Sequence, residues 1–182
     1  MQNSHGKVGK LNMGEKYVWY TCYGSNMLKE RFMHYIKGGT CIFNDVNYRG
    51  CADKSDPVDE RPFTIPHRLY FAMSSGKWGG GGIAFLDPEI DESAKTLGKI
   101  YKVTYDQFLD IKNQEGKVYD RDLDLGEVDG IPVKTFTHSY VAKETRPSAA
   151  YVNVIRLGLK ETYPDMPDEE IEQYLENRIM TE

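Results

Sequence analysis

A carboxylate at the end of a helix is one of three groups in this chain whose residue types could do chemistry. Glu115 closes a short helical pattern and precedes Gly116, a natural stop residue. A carboxylate near a helix C-terminus faces the negative end of the dipole. Burial adds to that effect and lifts the pKa toward the range of a general base. Lys112 and Lys117 oppose the shift if they point at it, and a solvated last-turn glutamate is the plain alternative. The second group is Tyr23-Gly24-Ser25-Asn26-Met27, small and polar residues set between a strand and a helix. There, backbone N–H groups and a positive helix end can cradle a carboxylate or an oxyanion. The same residues also spell an ordinary glycine turn with a Ser or Asn cap. The third group is Gly76-Lys77-Trp78 followed by Gly79 to Gly82. It lacks the Gly-Lys-Ser/Thr ending of a P-loop and the spacing of a GxGxxG turn, which argues against a nucleotide site. Its glycines suit either close approach to a ligand or a flexible hairpin loop.

Other chemistry finds less support. Cys22, Cys41 and Cys51 form no CxxC pair, and His5, His34, His67 and His138 are scattered, so zinc-ligand spacing is absent. Each cysteine reads as a small buried hydrophobe with a reduced thiol. The acids Asp120, Asp122, Asp124, Glu127 and Asp129 read as a solvated strand face, since a calcium loop has other spacing. No Ser-His-Asp or Cys-His pair is visible locally.

The elements that must position these groups follow from periodicity. Residues 17–23 are β-branched and aromatic, hence a strand. A helix is expected over 26–37, with Leu28, Phe32, Tyr35 and Ile36 on one face, Ser25 or Asn26 as cap and Gly38-Gly39 as stop. Residues 44–66 read as a long, turn-rich, charged loop or an irregular crossing. Strands are expected at 67–73, from Ile83, at 97–104, and on both sides of the turn Val128-Asp129-Gly130. Thr104 and Gln107 form a capping-box pattern that opens a helix running to about residue 113. Two further helices follow, one from Pro147-Ser148 and one ending near Ile179. Strands and helices mix without βαβ alternation, which predicts an α+β fold with one mixed or antiparallel sheet.

Twenty-three Lys and Arg against 28 Asp and Glu give a net charge of −5 among 182 residues. That balance argues against broad capture of nucleic acid or anionic membrane. No stretch reaches the roughly 20 apolar residues of a membrane span. Residues 1–16 read as a mobile polar leader without a signal-like apolar run, and 17–182 as a single domain, expected in the cytoplasm. Thirteen tyrosines are compatible with a homodimer.

Four stretches, in order, resemble the γ-glutamylcyclotransferase-like family: Tyr23 to Leu28, Trp78 to Phe85, Lys99 to Gly116, and Pro147-Ser148-Ala149-Ala150-Tyr151. Together they span about two-thirds of the chain. The resemblance implies a small closed or nearly closed β-barrel with flanking helices around one cavity. It makes Glu115 the catalytic acid/base, Tyr23, Gly24, Ser25, Asn26, Met27 and Leu28 the substrate loop, and Tyr151 a substrate contact. The implied reaction releases 5-oxoproline from a γ-glutamyl amino acid or γ-glutamyl amine and needs no metal or cofactor. The alternative is a non-catalytic binding or interaction module on the same fold. Residues 40–66 and the loop from Asp120 to Gly130 match no family pattern and are expected at the pocket mouth.

Overall fold

A computed structural model describes residues 16–179. The leader expected over residues 1–16 lies outside them, except for Lys16. The central element is β1 (Tyr17–Cys22). It pairs antiparallel with β7 (Thr96–Thr104) over its full length, from Tyr17–Thr104 to Cys22–Lys99. On its other side it pairs parallel with β9 (Ile131–Thr137) through Trp19–Val133 and Tyr20–Lys134. A strand held on both sides needs apolar residues on both faces, which YVWYTC supplies. Val18, Tyr20 and Cys22 enter the main core, while Trp19 packs with Ile100 and Val133 behind the sheet.

Two outer strands complete a five-stranded mixed sheet in the order β4-β7-β1-β9-β8. β8 (Arg121–Val128) joins β9 through a hairpin whose Asp129 and Gly130 both have positive φ, 52° and 74°. That is the primed turn chemistry of Asp-Gly. Asp122, Asp124 and Glu127 are exposed along β8, a solvated strand face. β4 (Asp59–Ile65) corrects the expected loop over 44–66: it pairs with β7 from Asp59–Lys102 to Ile65–Thr96. Its charged residues and Pro62 hide the strand, but an edge position tolerates both. β2 (Gly39–Thr40) with β3 (Asn47–Tyr48), and β5 (Leu69–Ala72) with β6 (Ile83–Leu86), form two small separate ladders. No ladder joins β4 to β8, so the α+β architecture has an open sheet where the resemblance implied a closed or nearly closed barrel.

The helices depart from expectation at one terminus. A 3-10 turn over Ser25–Met27 precedes α1 (Lys29–Lys37), and Leu28 takes the cap position with no side-chain cap bond. Ser25 and Asn26 are therefore not caps of α1. Gly38, at φ 80°, ends that helix as expected. α2 (Tyr105–Glu115) opens on a complete capping box: Gln107 N–H donates to Thr104 Oγ1 at 3.1 Å and Thr104 N–H to Gln107 Oε1 at 3.0 Å. Such caps contribute about 1 kcal/mol. α2 continues two residues beyond the expected end and stops at Gly116, which brings Glu115 into its last turn. α3 (Ala149–Thr162) is capped by Ser148, whose hydroxyl accepts from Tyr151 N–H at 3.2 Å. α4 (Asp168–Arg178) leads with acids and trails with Arg178. Within α3, a Cβ added at Gly158 would lie 2.7 Å from Leu28 N and 2.8 Å from Met27 Cβ. The missing side chain lets α3 rest directly on the 3-10 turn.

Candidate active site

The site begins where β1 ends. Tyr23 donates its hydroxyl proton to Phe136 O at 2.7 Å, which ties the exit of β1 to β9. The 3-10 turn then closes through Met27 N–H to Gly24 O and Leu28 N–H to Ser25 O, at 3.2 and 3.3 Å. The N–H groups at the start of the turn lie outside those bonds, as in any helix beginning. The turn is also held from behind. Tyr101 donates to Asn26 O at 3.0 Å, and Lys99 Nζ donates to Met27 O at 3.3 Å. Lys99 is only 3% exposed and is balanced by Glu60 at 3.0 Å and Glu161 at 2.8 Å.

Glu115, half-buried at the end of α2, faces this turn. Asn26 Nδ2 donates to Glu115 Oε1 at 3.0 Å and to the Tyr20 hydroxyl at 3.1 Å. Burial pushes the Glu115 carboxyl above the usual carboxylate range, against the opposing charges of Arg31 and Lys77 and the hydrogen bonding of Tyr35 and Asn26. The cations that act on it are thus not its chain neighbours Lys112 and Lys117; Lys112 pairs with Asp122 at 2.6 Å.

Glu115 and the turn open into a cavity of about 420 Å³, within the range of small-molecule sites. Of the residues singled out from sequence, Tyr23, Gly24, Ser25, Asn26, Glu115 and Tyr151 line it. Met27 and Leu28 do not: both are buried in the core under α3. Tyr151 reaches the turn from the opposite wall. Its hydroxyl accepts from Ala84 N–H at 3.0 Å, which leaves the hydroxyl proton free to donate. Burial keeps that phenol protonated by pushing its pKa up. A Cβ on Gly24 would fall 2.9 Å from the Tyr151 oxygen, so a larger residue at position 24 would have to displace that hydroxyl.

The mouth differs from expectation. Neither residues 40–66 nor 120–130 line the cavity; Ser74 to Trp78 do. The glycine run after Trp78 turns back on the chain itself. Ser75 N–H donates to Gly81 O at 3.1 Å and Gly82 N–H to Arg146 O at 2.9 Å. The close approach that these glycines permit is therefore to residues 145–148, the segment that leads into α3.

Sequence reasoning passed over Arg31. It sits on α1 four residues before Tyr35, on the apolar face of that helix, and is 2% exposed. Its guanidinium lies 4.8 Å from the ring centre of Tyr35, 4.6 Å from Tyr48 and 5.5 Å from Trp78. Stacking of this kind contributes about 0.5–2 kcal/mol per contact, less than the several kcal/mol that desolvating an ion costs. An arginine interrupting the stripe of Leu28, Phe32, Tyr35 and Ile36 was the available signal. Among the described residues, no group of three His, Cys, Asp or Glu comes together as a metal site, and no helix is long and apolar enough to cross a membrane.

Comparison with known proteins bears on the fold. No protein-family profile matches the chain. A curated relative, Histone deacetylase 5 of Arabidopsis thaliana, is 35% identical over 148 residues, which is 81% of this chain and 22% of that protein. The chain thus spans about a fifth of that relative's length. Among solved structures, a gamma-glutamyl cyclotransferase is similar with a TM-score of 0.61 at 20% identity, covering 92% of this chain and 90% of that one. An uncharacterized protein from Homo sapiens gives 0.63 at 20% identity, with the same coverage. YkqA from Bacillus subtilis gives 0.58 at 19% identity, covering 91% of this chain and 56% of that one.

Proposed function

From the premise that this chain has the γ-glutamyl cyclotransferase-like fold, we propose that it is a cyclotransferase-like enzyme that releases 5-oxoproline from a γ-glutamyl amino acid or γ-glutamyl amine. The observation that carries the reading is the Glu115 carboxylate, half-buried in the cavity wall and bonded to Asn26 of the turn that follows β1. Burial lifts the pKa of this carboxylate above its ordinary value, which makes it a stronger base than a solvated glutamate. A solvated Glu115 would have suited a binding module better.

The chemistry closes on itself. Glu115 takes a proton from the substrate's α-ammonium. The freed amine nitrogen attacks the γ-carbonyl carbon; a C–N bond forms, and the carbonyl π pair moves onto oxygen. N–H groups at the start of the 3-10 turn stabilise that oxyanion. As the carbonyl re-forms, the other C–N bond breaks and the leaving nitrogen takes the first proton back from Glu115; the ionised Glu115 then removes the second proton that the ring nitrogen still carries and passes it to the released amine. The products are 5-oxoproline and the amine in its ammonium form, with Glu115 restored. Because the nucleophile belongs to the substrate, a cavity that holds it folded supplies much of the rate. Tyr151 would donate its free hydroxyl proton to a polar substrate atom.

The test is a panel of γ-glutamyl dipeptides and γ-glutamyl amines incubated with purified protein, with 5-oxoproline read by mass spectrometry. Release by wild type, and a loss on the order of a hundredfold or more in Glu115→Gln, is expected for removal of the proposed proton carrier. Equal release by the variant would remove Glu115 from the mechanism, and no release from any member would leave the binding-module reading.

A further inference from the structure

The charged side chains that line the cavity are Arg31, Lys77 and Glu115, so its wall is cationic within a chain of net charge −5. Arg31 is the buried member of the set and Lys77 the exposed one. Among the described residues Arg31 forms no ion pair. Its Nη2 makes one long bond to the Tyr35 hydroxyl at 3.4 Å, and its Nε and Nη1 meet no acceptor. A second orphan of opposite polarity lies on the adjoining turn: Asn26 Oδ1 is buried without a donor. While Glu115 is ionised its carboxylate only accepts, so Nδ2 stays on Glu115 and Oδ1 stays without a donor. Unfilled donors and an unfilled acceptor, five residues apart in sequence and both in the cavity wall, call for a ligand that carries a negative and a positive group close together.

We propose that Arg31 is the specificity-determining residue for an α-amino-acid head group: it receives the α-carboxylate while Asn26 Oδ1 accepts from the α-ammonium and presents it to Glu115. The proposal rests on the cyclotransferase reading for its substrate class. It goes beyond that reading in assigning one anion to a fixed guanidinium, which leaves the N–H groups of the turn to the transient oxyanion. A permanent charge matches a permanent cation, and oriented N–H dipoles match charge that develops only in the reaction.

Binding tests this, with 5-oxoproline followed alongside so that any turnover of L-glutamine is seen. L-Glutamine carries both head groups, 4-aminobutanamide lacks the carboxylate, and N-acetyl-L-glutamine lacks the ammonium. Titration calorimetry on wild type should show L-glutamine preferred over each by about tenfold or more, as expected for loss of a charge-assisted contact. In Arg31→Met, the preference over 4-aminobutanamide should collapse while affinity for 4-aminobutanamide itself holds, and Arg31→Lys should fall between. If Arg31→Met does not fold, Arg31→Lys carries the test alone, since it keeps the charge and loses the fork. No preference in wild type, or full preference kept in the variant, overturns the proposal. Lost 5-oxoproline release with the preference intact rejects the reaction and keeps the receptor; release without any preference does the reverse.

Discussion

Glu115 is pulled in two directions: burial favours its neutral form, while Arg31, Lys77, Tyr35 and Asn26 favour the anion. Burial prevails, and two measurable consequences follow. The acid limb of the pH–kcat/KM profile should lie above the ordinary carboxylate range, since activity needs the ionised base in the free enzyme. Stability should respond as well. At pH below the ordinary glutamate value, folded and unfolded chains both hold the proton and the residue contributes no difference. As pH rises the unfolded chain ionises first, so wild type loses stability until the folded carboxyl also ionises. Glu115→Gln escapes that loss. Its melting temperature should gain on wild type above the ordinary carboxylate pKa and level off beyond the folded one, and a gap that does not vary with pH would contradict the burial argument. Its place before Gly116 made Glu115 a candidate, and the family resemblance gave it the acid/base role. Sequence could not identify the cations that act on it, because Arg31 and Lys77 lie 84 and 38 positions away and meet it only in the folded chain.

The same contrast holds for whole elements. Most were legible because one local rule sufficed: the capping box of α2, the Asp-Gly turn between β8 and β9, and the Ser148 cap of α3. β4 was not, because its pairing to β7 overrides a charged, proline-bearing sequence. The 3-10 turn was read as the first turn of α1, since no local pattern reveals that Lys99, Tyr101 and Gly158 hold it from outside. Its fit to Tyr151 can be measured. Gly24→Ala should lower turnover and stability, because the new Cβ meets the Tyr151 hydroxyl at 2.9 Å. Tyr151→Phe strands the buried Ala84 N–H at a cost of about 1–3 kcal/mol. In the Tyr151→Phe background, Gly24→Ala should cost less than it does alone, with coupling of about 0.5–3 kcal/mol by chemical denaturation. Strict additivity would mean that the two positions do not touch.

Across the whole molecule, all three cysteines are free and buried. Burial pushes the Cys51 thiol up to about 11 and that of Cys22 higher still. A thiol-specific reagent at neutral pH should therefore label none of them in the native protein and all three after denaturation, at a rate limited by opening. Rapid labelling of Cys22, which borders the cavity, would show that the pocket wall opens far below the global unfolding energy. β1 lies in the middle of the sheet, and each of its partners lies far along the chain. Asn26 is 89 positions from Glu115, Tyr23 is 113 from Phe136, and Ala84 is 67 from Tyr151. During synthesis on a ribosome the strand that leads into the turn emerges before its partners, and its wall stays incomplete until residue 151 has cleared the exit tunnel and α3 has docked. The site is thus blind to ligand until α3 has been made, and the energetic burden of the half-buried Glu115 and the buried Arg31 falls on the nascent chain only at that step.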